Sequence, residues 1–174
     1  AVKFTPITGG VTVKAGRIHI GDAANYPSGT DPLLLAPFQV AVYDATGPAG
    51  MPGAQIGNPV DVTPANFGWN TFTFPSPISM TGTFYLVMLQ GGVPPAAAGL
   101  GIDETSNKLR SYSKFGTGPW LPASGNYMLR AVVNGQGGPL DIDATPGPEI
   151  TATAIDGLIY EHTPATVTGV EGTA

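Results

Sequence analysis

The residues of this chain that are able to do chemistry are few and scattered. Two histidines, His19 and His162, and twelve Asp and Glu residues are present, and cysteine is absent. A catalytic serine needs a histidine base beside it, and no Gly-x-Ser-x-Gly turn presents such a serine. Without cysteine there is neither a thiol nucleophile nor a cysteine zinc site. The pattern predicts a protein that is not an enzyme.

The carboxylates suggest two kinds of site, and each has a simpler alternative. Asp103 and Glu104 are adjacent, so on a strand they point to opposite faces and do not form a catalytic pair. A catalytic pair of carboxylates from two distant strands remains an alternative. Asp22 and Asp31 flank an Asn-Tyr-Pro-Ser-Gly loop that is a candidate for structural Ca²⁺, the one cofactor this sequence suggests. The alternative is that these residues cap a turn through local hydrogen bonds.

Aromatic residues provide a third candidate site. Trp69, Trp120 and Tyr26 are candidates for a sugar-stacking platform, although large aromatic side chains more often pack in cores. Arg130 lies within an apolar stretch, where an unpaired charge is costly. We therefore expect Arg130 to form a buried salt bridge with Asp103 or Asp44.

Composition excludes several kinds of partner. Charged residues make up 11% of the 174 residues, the net charge is -5, and no basic cluster is present. Phosphate contacts need grouped Lys and Arg, which argues against nucleic acid. No apolar run approaches the roughly 18 residues of a membrane span. A surface this poor in charge is typical of extracellular modules, so we expect an extracellular or cell-surface location.

The hydrophobic pattern predicts an all-β fold. Apolar residues come in short bursts with period two, closed by Gly (25 residues) and Pro (18 residues). The segment from Arg17 to Ile20 has one polar face, whereas Phe84 to Leu89 is apolar on both faces. Predicted strands are 2–5, 11–20, 38–43, 69–74, 83–90, 100–103, 109–115 and 127–133. This number of short strands favours an antiparallel jelly-roll or Greek-key β-sandwich with an extended, strand-bearing C-terminal tail.

Changes in amino-acid composition divide the chain into three parts. We expect a β-sandwich domain over 1–137, a Gly/Pro linker over 138–148, and a tail over 149–174 that contains one or more strands. The chain starts at Ala1 without a methionine, which suggests a processed form or a segment of a longer protein.

Several motifs resemble those of a known kind of domain. They are Ala1–Pro6, Arg17–Ile20, Val42–Asp44 with its Gly/Pro loop, Trp69, Phe84-Tyr85, Arg110–Tyr112, Gly118–Trp120 and Gly125–Val133. They are similar to a jelly-roll domain of large secreted proteins from Bacteroidetes-like and related bacteria, where it lies beside proteases, fibronectin-like modules and sorting tails. The resemblance implies an accessory, non-catalytic β-sandwich.

The chain departs from this resemblance at its first strand. Such domains start with a further strand of the form aliphatic-aliphatic-Tyr-acidic, and here the matching residues Leu158, Ile159, Tyr160 and Glu161 stand at the C-terminal end. We expect them to dock beside an acceptor edge formed by Val2, Lys3 and Phe4. The strand either folds back on its own sandwich or completes the sandwich of a neighbour. A third alternative is that the chain is one repeat of a tandem array.

These observations lead to two functional expectations. The first is a non-catalytic extracellular structural subunit that self-assembles head-to-tail with copies of itself, as a filament or surface fibre, by β-strand complementation. The alternative is an accessory carbohydrate-binding or adhesion module of a secreted protein that recognises polysaccharide or a cell surface.

Overall fold

The computed structural model describes residues 1–6, 10–21, 35–92, 97–105 and 107–135, and the backbone of 158–160. Its strands are β1 (Val2–Phe4), β2 (Val11–Ile20), β3 (Phe38–Asp44), β4 (Gln55–Val62), β5 (Gly68–Met80), β6 (Phe84–Gln90), β7 (Ile102–Asp103), β8 (Tyr112–Ser113), β9 (Leu121–Pro122), β10 (Asn126–Tyr127), β11 (Leu129–Gly135) and β12 (Leu158–Tyr160). One 3₁₀ turn spans Pro48–Gly50. No helix in this described part is long and apolar enough to cross a membrane.

The strands form two four-stranded sheets and two short ribbons. The first sheet has the order β1-β6-β3-β4, and the second has the order β12-β11-β2-β5. The ribbons pair β7 with β10 and β8 with β9. All these pairs are antiparallel except β11 with β12, which is parallel. The predicted all-β antiparallel sandwich is confirmed.

The strand order is that of a jelly roll with a substituted first strand. If β1 to β6 and β11 are counted as the second to eighth strands, the first sheet reads second, seventh, fourth, fifth. The second sheet reads eighth, third, sixth. In an eight-stranded jelly roll the first strand lies beside the eighth. Here β12 lies in that position but runs parallel to β11, whereas neighbouring strands of a jelly roll are antiparallel.

The core lies between the two sheets and is made by alternating residues of each strand. Ile18 and Ile20 of β2 are fully buried, whereas Arg17 and His19 between them are partly exposed, as the sequence pattern predicts. Strand β6 is covered on both faces, also as predicted. Its Phe84 and Leu86 belong to the main core, and Tyr85 and Val87 to a second cluster on the other face.

Three differences from the predicted strands have physical causes. Strand β4 was not predicted because it is an exposed edge strand that contains Gly57 and Pro59, so it lacks an apolar alternation. Strand β5 runs on to Met80 through Pro75 and Pro77, where its pairing with β2 is interrupted by a bulge. Only Tyr112 and Ser113 of the predicted strand 109–115 are paired in a ribbon.

Candidate functional site: a completed sheet edge and a cationic face

The C-terminal strand β12 completes the second sheet. Leu158 lies opposite Ala131, Ile159 opposite Val132 and Tyr160 opposite Val133. The other side of β11 pairs with β2, so β11 would be an edge strand without β12. Unpaired N–H and C=O groups along an edge strand are a template for pairing with another segment. Strand β12 therefore occupies a strand-accepting edge.

The position of this strand corrects the predicted acceptor edge. Val2, Lys3 and Phe4 do not receive Leu158–Tyr160, because the outer edge of β1 is already occupied by the segment 110–112. The Lys3 backbone N–H donates to the Arg110 carbonyl at 2.8 Å, and the Tyr112 N–H donates to the Ala1 carbonyl at 2.9 Å. The edge that accepts Leu158–Tyr160 is that of β11, in the other sheet. Glu161, the last residue of the predicted strand, lies outside the described residues.

The parallel direction of β12 constrains its connection. Parallel neighbours need a crossover of about a dozen residues or more, and residues 136–157 separate β11 from β12. Three residue pairs hold the strand, compared with seven between β11 and β2. Parallel pairing is also slightly less stable per residue than antiparallel pairing. The edge is thus closed by the shortest pairing in this sheet.

A cationic face lies on the solvent side of the same sheet, and we define it by Arg17, Trp69 and Arg130. The register places Arg130 of β11 opposite Arg17 of β2 and His19 opposite Trp69 of β5. The Arg130 Cζ atom lies 4.4 Å from the centre of the Trp69 ring, and the Arg17 Cζ atom lies 5.4 Å from it. One indole ring therefore contacts two guanidinium groups. The His19 ring packs edge-on against the same indole.

The predicted buried salt bridge of Arg130 is wrong. Arg130 is exposed, because it lies on the outer face of β11, and its guanidinium stacks on Trp69. Asp44 accepts hydrogen bonds from Thr46, whose hydroxyl donates at 2.6 Å, and from the Ala54 N–H at 2.8 Å. These bonds, led by that from the Thr46 hydroxyl, hold the pKa of Asp44 below its usual value.

Asp103 is held in a similar way by its own turn. The Thr105 hydroxyl donates to the Asp103 carboxylate at 2.7 Å and the Thr105 N–H at 2.9 Å, and these bonds lower the pKa of Asp103. Nearby Lys108 lowers it further. Both candidate partners of Arg130 thus use their carboxylates to stabilise local turns.

The residues do not assemble into a metal site in the described part of the chain. There, no three His, Asp or Glu side chains lie close enough together to hold an ion. Asp22 and Asp31, the candidate Ca²⁺ ligands, lie outside the described residues. The Nδ1 atom of His19 is buried without a hydrogen-bond partner, and Gly101 packs so closely that an added Cβ would lie 2.7 Å from it.

The aromatic residues of the predicted sugar platform are separated. Trp120 packs against the second cluster around Tyr85 and Val87, with the Lys114 Nζ atom 5.9 Å from its ring centre. Trp69 belongs to the cationic face, and Tyr26 lies outside the described residues. The two tryptophans therefore do not form one platform. Arg17 was not among the predicted site residues, although its place on the polar side of β2 was visible in the sequence.

A cavity of about 370 Å³ opens beside the cationic face. Trp69 and Arg130 line it together with Lys108, Arg110 and Ser111. Val2 and Phe4 form part of its apolar wall. The cavity thus combines an aromatic surface with basic side chains and the Asp103 carboxylate.

Comparison with known proteins gives one partial similarity. A stretch of 113 residues is 37% identical to part of Bacillopeptidase F from Bacillus subtilis (strain 168), and it covers 62% of this chain and 8% of that protein. No protein-family model matches the chain, and no solved structure matches it. The similarity thus concerns a small segment of that peptidase.

Proposed function

We propose that this chain is a non-catalytic structural subunit of an extracellular assembly. In it, Leu158–Tyr160 of one copy completes the second sheet of the next copy at β11. The observation that supports this proposal is the position of β12 beside Ala131–Val133, where a jelly roll has its first strand. A strand with the sequence pattern expected of the first strand thus lies beside β11, although it runs parallel to β11.

The connection to this strand is long enough for exchange between copies. Residues 136–157 reach up to about 70 Å when extended, which is enough to reach a neighbouring sandwich. The same three residue pairs form whichever copy supplies the strand, because the main chain of β11 presents the same hydrogen-bonding groups. The contact is head-to-tail, and its repetition builds a filament unless the rotation closes a ring.

Deletion of Gly157–Ala174 tests this function. Wild-type protein should form polymers visible by size exclusion and electron microscopy, and the deletion variant should stay monomeric. Ile159→Pro is a milder variant, because proline removes one N–H from the strand without touching the sandwich. Thr151→Pro is its control, since it places a proline in the connection and should still assemble. Polymers formed equally by wild type and both tail variants would refute the proposal, as would a monomeric wild type.

A second candidate function is an accessory carbohydrate-binding or adhesion module of a secreted protein. The cavity beside Trp69, which is lined by an aromatic ring and basic side chains, favours it. It predicts binding on a glycan array that Trp69→Ala abolishes and Trp120→Ala leaves intact, because Trp120 packs in the second cluster. Equal binding by wild type and Trp69→Ala would exclude this site.

A further inference from the structure

Charge is divided unequally along the chain. All seven Lys and Arg residues lie within residues 1–135. Residues 136–174 contain six of the twelve acidic residues and neither Lys nor Arg. Those six are Asp141, Asp143, Glu149, Asp156, Glu161 and Glu171. All basic side chains thus belong to residues 1–135, and every charged side chain of the C-terminal segment is acidic.

The second sheet has the opposite character to this segment. Its strands β2, β5, β11 and β12 contain Lys14, Arg17 and Arg130, and their sequences include neither Asp nor Glu. The first sheet, in contrast, carries Asp44 and Asp61 on its strands. The sheet that accepts β12 is therefore the basic one.

The two arginines of the cationic face lie directly opposite each other on adjacent strands. Like charges in this position destabilise a sheet unless something neutralises them. Trp69 contacts both guanidinium groups but carries no charge. Within the part of the chain that the structure describes, the contacts of these two guanidinium groups are with the indole and not with a carboxylate. The face is suited to a carboxylate-bearing partner.

We propose that the cationic face docks the acidic C-terminal segment of a second copy of this chain. This inference rests on the proposed function and deepens it by naming the charged groups that recognise the donor strand. In sequence, Asp156 precedes β12 by two residues and Glu161 follows it directly. Leu158 lies opposite Ala131, the residue after Arg130. We therefore expect strand pairing at β11 to bring the acidic flanks of β12 within electrostatic range of this basic sheet.

The inference predicts that assembly depends on ionic strength. Exposed charges attract each other over about 10 Å at 0.1 M salt and over about 3 Å at 1 M. Complementary charges mainly accelerate association. Elongation of the wild type should therefore slow as salt is raised, whereas strand pairing by main-chain hydrogen bonds alone would not have this dependence.

The test compares elongation rates of full-length variants by light scattering at low and high salt. Arg17→Gln/Arg130→Gln should slow elongation at low salt by about tenfold or more and remove most of the salt dependence. The control Lys114→Gln also removes a cation that stacks on a tryptophan, but away from the second sheet, and it should elongate like wild type. Wild-type rates and salt dependence in the double variant would overturn the inference.

A charge reversal separates recognition from folding. Arg17→Glu/Arg130→Glu should block elongation, and adding Asp156→Arg and Glu161→Arg to the same chain should restore it, because the accepting sheet and the donor segment then again carry opposite charges. Absence of rescue, with the variant folded by circular dichroism, would count against the docking surface. If deletion of Gly157–Ala174 stops assembly while the arginine variants have no effect, the electrostatic inference fails and the proposed function stands. If the wild type does not assemble, both it and the proposed function fail.

Discussion

Arg17 and Arg130 lie opposite each other on β2 and β11, and the indole of Trp69 contacts both guanidinium groups. A ring face is attractive to cations, so Trp69 offsets part of the repulsion between the two arginines. This relationship joins three neighbouring strands of the second sheet, β11, β2 and β5, through their side chains. It also places two of the three arginines of the chain near the edge that accepts β12.

The contact between Trp69 and Arg130 should be measurable as a coupling energy. In a double-mutant cycle of Trp69→Ala and Arg130→Ala, we expect a coupling of about 0.5–1 kcal/mol in the free energy of unfolding. Denaturant titration of the four proteins provides the values. The pair Lys114 and Trp120, at 5.9 Å, is the matched comparison and should couple more weakly. A coupling of zero at Trp69 would show that the stacking contributes nothing to stability.

Gly16 should not tolerate a side chain. A Cβ added there would lie 2.4 Å from the Phe72 ring and 2.6 Å from the Arg130 carbonyl oxygen, which belongs to the backbone of β11. We expect Gly16→Ala to lower the free energy of unfolding by about 1–3 kcal/mol. Gly82→Ala, which faces open space, is the control and should have little effect. Equal midpoints of thermal unfolding for the two variants would contradict the packing described for β2, β5 and β11.

The hydroxyl of Tyr85 should stabilise the loop between β3 and β4. Tyr85 is fully buried, and its hydroxyl donates to the Gly50 carbonyl in the 3₁₀ turn. Burial, with a smaller effect of Tyr112, raises the pKa of Tyr85 to about 12, so the hydroxyl stays protonated at neutral pH. Tyr85→Phe leaves that carbonyl without this donor and should cost about 1–3 kcal/mol of unfolding free energy. Tyr43→Phe, whose hydroxyl is exposed, is the control and should cost less.

Asp44 should contribute to acid sensitivity. Its folded-state pKa lies below the usual value because of hydrogen bonds from Thr46 and Ala54. The stabilisation is therefore present above the unfolded-state pKa of about 3.9 and is lost as the pH falls through the folded-state pKa. Asp44→Asn should lower the thermal midpoint at neutral pH, and its difference from wild type should shrink toward about pH 2. Glu104→Gln controls for the loss of one exposed negative charge, and a constant difference across this range would contradict the assignment.

Much of the fold was predictable because burial imposes alternation on strands. Strand β2 was predicted with its bounds, since Val11, Val13, Ile18 and Ile20 are buried and the residues between them, apart from Gly16, are only partly buried. Strand β4 was not predictable in this way, because an edge strand with one wet face and a proline lacks the pattern. The pairing of strands depends on long-range contacts that local periodicity does not encode.

The site was predictable in its parts but not in its arrangement. The displaced motif at Leu158–Tyr160 was visible in the sequence, but the strand that accepts it was not. Residues 110–112 cover the outer edge of β1, and β12 therefore pairs with β11. Arg130 looked buried because its neighbours are apolar, but the register of β11 points it to the outer face beside Trp69. Side-chain direction follows from register, and a shift of one residue reverses it.

The most direct test of the central claim is disulfide trapping between β11 and β12. The chain has no cysteine, and Val132 and Ile159 are paired in register, so Val132→Cys/Ile159→Cys introduces one defined pair. Cα atoms of paired strand residues fall in the range of about 4.4–6.8 Å that a disulfide spans. If each subunit receives the strand of its neighbour, as proposed, a non-reducing gel after mild oxidation should show a ladder of covalent oligomers. Only monomers with an internal disulfide, at every protein concentration, would show that each sandwich is completed by its own strand.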